Sequence, residues 1–165
     1  MFRRDRAWQG GDAAYSIDLG GERVLWLFGD SFVSPDARGS RSGAPFARNT
    51  VAIQRGYDPT TASVAFYYRR EGDGGAPSSF FVANTPGTWM WPGHGARVGD
   101  ALFLFLARVR SVSDGAFGFA NDRSEALLVA NPDDDPPRWA TLVSDTNLYF
   151  PRFVRLDVAR ATVTP

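Results

Sequence analysis

Short apolar runs, broken every few positions by glycine, proline or charge, set the rhythm of this chain. Over residues 13–19 small or polar positions alternate with apolar ones, the period-two pattern of a strand with one buried face. Gly20-Gly21-Glu22-Arg23 follows and reads as a hairpin turn in which glycine supplies positive φ. Residues 24–28, Val-Leu-Trp-Leu-Phe, are apolar on both faces, as a strand covered on both sides must be. The same criteria predict strands over 50–54, 63–69, 101–110, 125–130 and 139–144 and surface loops over 34–47 and 70–86. No stretch keeps the three-and-four spacing and caps of a helix, so the fold class expected is all-β with almost no helix.

The order of features repeats. Trp8-Gln9-Gly10-Gly11-Asp12 leads into a strand, a glycine turn and an apolar strand; later Trp91-Pro92-Gly93-His94 leads into a short strand, the Val98-Gly99-Asp100 turn and the apolar strand 102–106. A recurring unit with its own hairpin is what four-stranded propeller blades produce, and it would put Asp12 and His94 in equivalent places around one pocket. The other reading is two unrelated hairpins.

Composition narrows the partners. The 18 basic and 18 acidic residues cancel, which gives no general attraction to nucleic acid or an anionic membrane. No apolar run approaches the roughly 20 residues of a membrane span, and the first residues show no signal-peptide core. With no cysteine and a single histidine, neither disulfides nor a Cys- or His-based metal site is expected, and no cofactor is implied. Asp133-Asp134-Asp135 lacks the alternating oxygens of a calcium loop and reads as a solvated turn.

The residue types that remain suit glycoside cleavage, which uses two carboxylates, one to protonate the leaving oxygen and one to attack or to activate water. Asp12 enters one strand of the first hairpin and Asp30 leaves its antiparallel partner. A turn at 20–23 brings those two far ends together. Gly-Asp at a strand end is also ordinary turn chemistry, so spacing alone leaves both readings open.

The stretches Trp8–Ser16, Leu25-Trp26-Leu27-Phe28-Gly29-Asp30-Ser31-Phe32, Arg48-Asn49-Thr50-Val51-Ala52-Ile53 and Trp89-Met90-Trp91-Pro92-Gly93 together resemble a bacterial family of five-bladed β-propeller proteins. Some relatives of that family are endo-D-arabinanases acting on mycobacterial cell-wall arabinan. The resemblance implies Asp12 and Asp30 as the catalytic pair and carbohydrate as the partner. It places Arg48 and Asn49 among polar residues facing the pocket, where strand capping is the competing role. Trp89 and Trp91 would supply a stacking platform for a sugar ring if they do not simply pack in a core; they share a side only if their strand is regular. His94 stands where relatives often carry an acid and would tune a carboxylate or bind a hydroxyl.

On the same basis 8–69 forms a first blade, 86–146 a second and 147–165 a divergent or truncated tail, giving a single partial propeller domain. Such a segment exposes a sheet edge that invites self-association. The alternatives to a hydrolase are a non-catalytic carbohydrate-binding or scaffold propeller, or an inactive fragment.

Overall fold

A computed structural model describes residues 1–34, 41–114, 117–143, 155–157 and 162–164. The chain divides into two units, Met1–Val82 and Ala83–Pro165. Both are built from antiparallel β structure, with blade-like four-stranded sheets as the main elements.

The first unit opens with a single 3-10 turn, Phe2–Arg4, then β1 (Trp8–Gly11), β2 (Tyr15–Gly20), β3 (Arg23–Phe28) and β4 (Ser31–Val33). It continues through β5 (Phe46–Ala47), β6 (Thr50–Arg55), β7 (Ser63–Tyr67) and a small β8 (Arg69–Arg70), β9 (Pro77–Ser78) hairpin. Strands β2, β3, β6 and β7 form one antiparallel meander, and β1, β4 and β5 form a small sheet. The sheets share a hairpin: Tyr15 lies opposite Leu27 in the larger one and Gly11 opposite Ser31 in the smaller, with the same register on both sides of the break.

The core explains why these runs are apolar on both faces. Leu25, Leu27, Val51 and Ile53 line one face of the meander and are buried, while Trp26, Phe28, Ala52 and Phe66 line the other. Trp8 stacks on Phe66 at 4.4 Å and packs on Phe28, and Phe2 meets Trp26, Phe28 and Phe66 edge-on. Aromatic rings at offset or edge geometry add to what burial alone contributes.

The second unit is a meander of β10 (Thr88–Val98), β11 (Ala101–Ser111), β12 (Phe119–Val129) and β13 (Thr141–Val143), with a 3-10 turn at Pro136–Arg138. Phe103, Ala126 and Leu128 form its core cluster. Two short strands, β14 (Arg155–Asp157) and β15 (Thr162–Thr164), pair with each other.

Several boundaries differ from the sequence expectation. Residues 13–14 are not strand: Ala13 and Ala14 both have positive φ, 67° and 53°. The expected strand 63–69 breaks after Tyr67, and β12 starts at Phe119 rather than 125. Trp139 caps a 3-10 turn instead of starting the last strand, and position 144 lies outside the described residues, as does most of 147–165. Pro92-Gly93-His94 does not precede a short strand but sits inside the long β10, where a bulge between Pro92 and Gly95 absorbs the extra residue. β10 is an edge strand, so the missing N–H of Pro92 removes no necessary ladder bond. The loops 34–47 and 70–86 contain the short strands β5 and β9.

Candidate active site

The break in the first hairpin is where the carboxylates sit. The Asp12 N–H donates to the Asp30 carbonyl at 3.1 Å, and the Asp12 carbonyl accepts from Gly29 N–H at 3.1 Å and Ala14 N–H at 2.9 Å. These bonds hold the two aspartates as opposed residues across the two strands. Register then continues outward, since Ser31 faces Ala47 while Phe28 faces Thr50, so Arg48 stands opposite Asp30. The result is a row, Asp12–Asp30–Arg48, across one face of the small sheet. Arg48 Nη1 lies 3.6 Å from Asp30 Oδ2, with both side chains partly open to solvent, and its guanidinium lies over the Phe46 ring at 5.0 Å. Such an exposed pair contributes at most about 1 kcal/mol to stability. Asp12 is exposed.

Sequence-local reasons produce this geometry. Gly29 leaves room for the Asp12 carboxylate, which occupies the space where a Cβ would stand. The two left-handed alanines turn the chain sharply between β1 and β2, at a cost of roughly 1–2 kcal/mol per residue. Strain of this kind persists only where the surroundings over-determine it.

Here the surroundings are a buried chain of hydrogen bonds behind the row. Trp8 Nε1 donates to Thr50 Oγ1 at 3.1 Å, Thr50 and Ser31 hydroxyls meet at 2.9 Å, and Ser31 Oγ donates to the Gly29 carbonyl at 2.8 Å. Because the Ser31 proton goes to Gly29, Thr50 is the donor between the two hydroxyls. Ser31 and Thr50 are fully buried. The sequence reading passed over Trp8, Ser31 and Thr50 as site residues; the signal available was two small hydroxyls inside otherwise apolar strands.

Asn49 points to the opposite side from Arg48 and is buried. Its carboxamide binds the Phe81 backbone twice, accepting from the N–H at 2.7 Å and donating to the carbonyl at 2.9 Å. The Arg48 N–H donates to Ser79 Oγ at 3.1 Å, so this corner laces the 79–81 segment along the start of β6.

In the second unit, Trp89 and Trp91 share one face of β10, with rings 5.8 Å apart and edge-on, and Trp91 meets Phe119 at 4.8 Å. The strand is regular there, so alternation does put both on the same side. Phe117, 6.0 Å from Phe119, is the most exposed large apolar residue described. His94 is exposed within the bulge opposite Phe105. That is a correction to the expected equivalence with Asp12: His94 lies inside its strand, close to the turn, whereas Asp12 lies before the start of β2. Asp133 forms a bidentate pair with Arg97, and Asp134 accepts from Asn131, as members of a turn.

A family model described as a domain of unknown function, DUF5005, matches residues 1–150. The chain belongs to that family. No curated protein matches the DUF5005 sequence. Among solved structures, one described as "a putative hydrolase" from Bacteroides ovatus is similar at a TM-score of 0.63 and 16% identity, over 82% of this chain and 38% of that one. At that identity the likeness is one of fold, and this DUF5005 chain spans less than half the length of that protein. Membership is thereby shown at the level of a domain family of unknown function.

Proposed function

We propose that the DUF5005 domain carries the carboxylate pair of a glycoside hydrolase-like propeller that cleaves a polysaccharide, with arabinan-type glycans the first to test. Its two four-stranded meanders are then two of five blades. The observation that carries the reading is the row Asp12–Asp30–Arg48: two opposed carboxylates at a strained chain break on an open face, one of them beside a guanidinium. That asymmetry, one carboxylate beside a guanidinium and the other open to solvent, suits the unequal roles that two carboxylates take in glycoside cleavage. The solved neighbour described as "a putative hydrolase" is in keeping with a hydrolase-like role and says nothing of the substrate.

A second reading, a carbohydrate-binding propeller without catalysis, is favoured by the ring cluster of Trp89, Trp91 and Phe119, an apolar surface of the kind sugar rings stack on.

The test is product release from arabinan and a panel of other polysaccharides by wild type, Asp12→Asn and Asp30→Asn, with melting temperatures on the same preparations. Each substitution should lower turnover by roughly 10²–10⁴ or more, since an amide can neither donate the proton nor serve as base or nucleophile, and the double variant should lose little beyond either single one. A well-folded Asp12→Asn or Asp30→Asn chain with near-normal turnover removes that residue from catalysis. Glycan binding by calorimetry with no turnover in wild type selects the binding reading.

A further inference from the structure

The face that carries the two aspartates carries a second cation that catalysis by the pair does not require. The row next to Asp12–Asp30–Arg48 on that face is Gly10–Phe32–Phe46. Phe32 and Phe46 meet edge-on at 5.3 Å, and Phe46 is 42% exposed. The Arg41 guanidinium lies over the Phe32 ring at 4.7 Å and extends above Gly10. Gly10 leaves that space open: its φ of 133° excludes other residues, and a Cβ there would stand 3.0 Å from an Arg41 nitrogen.

Several other arginines have identified acids. Arg48 pairs with Asp30, Arg97 with Asp133, and Arg108 with Asp122 and Glu125. Among the described residues Arg41 has no acidic partner, and it is exposed. A guanidinium laid on an aromatic ring is held by cation–π attraction while the N–H groups at its edge stay available. Those donors form a planar fork that matches a carboxylate or a sulfate by two parallel hydrogen bonds, a geometry that a single sugar hydroxyl cannot fill.

We propose that the glycan unit bound beside Asp12 and Asp30 carries an anionic group, a uronate carboxylate or a sulfate ester, and that Arg41 on its Phe32–Gly10 seat recognises it. This rests on the carbohydrate reading above and names the substrate class. Charge argues in the same direction. An anionic sugar approaching two carboxylates is repelled unless cations stand beside them; Arg48 offsets Asp30, and Arg41 supplies the remaining positive charge. Phe46, next to Phe32, adds an apolar face for the sugar's C–H surface.

The experiment is calorimetry of the full chain against two matched pairs: oligogalacturonate with its carboxyl-reduced counterpart, and sulfated with unsulfated dextran oligosaccharide. The carboxylate and sulfate sources are thereby separated. The charged member of at least one pair should bind about tenfold or more tighter than its neutral partner, the scale of one bidentate contact. Arg41→Ala should erase that preference with little change in binding of the neutral member, and Arg41→Lys should restore part of it. Arg110→Ala, which removes one exposed charge in the other unit, should leave the preference in place.

Equal affinity within both pairs overturns the proposal, as does failure of both charged probes to bind, or a preference lost equally in the Arg41→Ala and Arg110→Ala variants. Hydrolysis of neutral arabinan that depends on Asp12 and is indifferent to Arg41 would retain the catalytic reading and remove this one. A charge preference that depends on Arg41 and persists in Asp12→Asn, with no hydrolysis in wild type, would retain this inference and remove the catalytic one.

Discussion

The two meanders begin with the same hairpin built in two ways. In the second, β10 and β11 run unbroken through their full length, with only the bulge opposite Phe105. In the first, the equivalent strands are interrupted, β1 from β2 at residues 12–14 and β3 from β4 at residues 29–30, without a change of register. Counted from Arg23 and Ala101, the first residues of β3 and β11, Asp30 and Arg108 stand at the same position. The rows through them are Asp12–Asp30–Arg48 in the first unit and Met90–Arg108–Arg123 in the second.

Their charges are handled in opposite ways. Arg108 is largely buried, held by Asp122 at 2.7 Å and Glu125 at 3.2 Å, so its charge is offset by acids of the adjoining strand, and the buried Met90 closes the row beside it. The row in the first unit leaves Asp12 exposed and Asp30 partly exposed, with the Arg48 guanidinium at 3.6 Å. The comparison teaches that the interruption, rather than the sheet, makes the candidate site: an unbroken ladder satisfies its own polar groups, while a broken one turns two backbones aside and leaves two carboxylates facing solvent.

The largest effect that would break this comparison comes from filling the space at the interruption. Gly29→Ala drives a methyl into the Asp12 carboxylate, so the side chain or the backbone must move. Because the exposed Asp12 carboxylate can swing aside, we expect a small change in stability together with a fall in turnover of at least about a hundredfold as that carboxylate is displaced. Gly93→Ala in the intact hairpin meets the Phe105 backbone carbonyl at 3.1 Å, a neighbour that cannot swing aside, so it should cost at least as much in melting temperature and nothing comparable in turnover. Equal loss of turnover in both variants would show that the break is not special.

A smaller effect should follow from the hydrogen-bond chain behind the row. Thr50→Val keeps the volume but leaves Trp8 Nε1 without its acceptor and removes the bond to Ser31. Loss of about 1–3 kcal/mol is expected for orphaned buried donors, read as a lower denaturation midpoint at unchanged m-value. If the chain positions the aspartates, turnover of the folded fraction falls as well; a stability loss with unchanged turnover would confine Trp8, Thr50 and Ser31 to the core.

How much of this was legible in the sequence follows from range. The glycine turn at 20–23 and the apolar strands beside it are local signals, and they placed Asp12 and Asp30 together because antiparallel pairing from a known turn is arithmetic. The pairing of Arg48 with Asp30 was not legible, since Arg48 read only as a polar residue opening its strand and nothing local sets which residue it faces. The interruption itself was not. Alanine has no preference for the left-handed region, so Ala13-Ala14 reads as the start of a strand, and only the Asp12 contacts across the hairpin reveal otherwise. Pro92-Gly93 misled in the opposite direction, because an edge strand with a bulge tolerates residues that would end a central one. Asn49 was ambiguous for a related reason: its carboxamide is satisfied by Phe81, a partner far along the chain that no local pattern announces.

The smallest and most diagnostic effect concerns the two left-handed alanines. If the corner at Ala13-Ala14 is strained, Ala13→Gly and Ala14→Gly should each be neutral to stabilising, by up to about 1 kcal/mol, because glycine adopts positive φ without a Cβ clash while giving back part of that gain through a more flexible unfolded chain. The opposite sign is expected at the unstrained strand positions of the intact hairpin: Ala101→Gly or Ala107→Gly, in β11, should cost about 0.5–1 kcal/mol, since glycine weakens a strand interior. Melting temperatures of the four variants measured together decide the matter by sign alone. A loss at residues 13 and 14 equal to that at 101 and 107 would mean that the corner is not strained, and the break would then rest on the Asp12, Gly29 and Asp30 backbone bonds without any stored cost. A gain at residues 13 and 14, with turnover unchanged or lower, would show that the first hairpin accepts an unfavourable backbone to present Asp12, where the second, with no carboxylate to present, keeps its ladder whole.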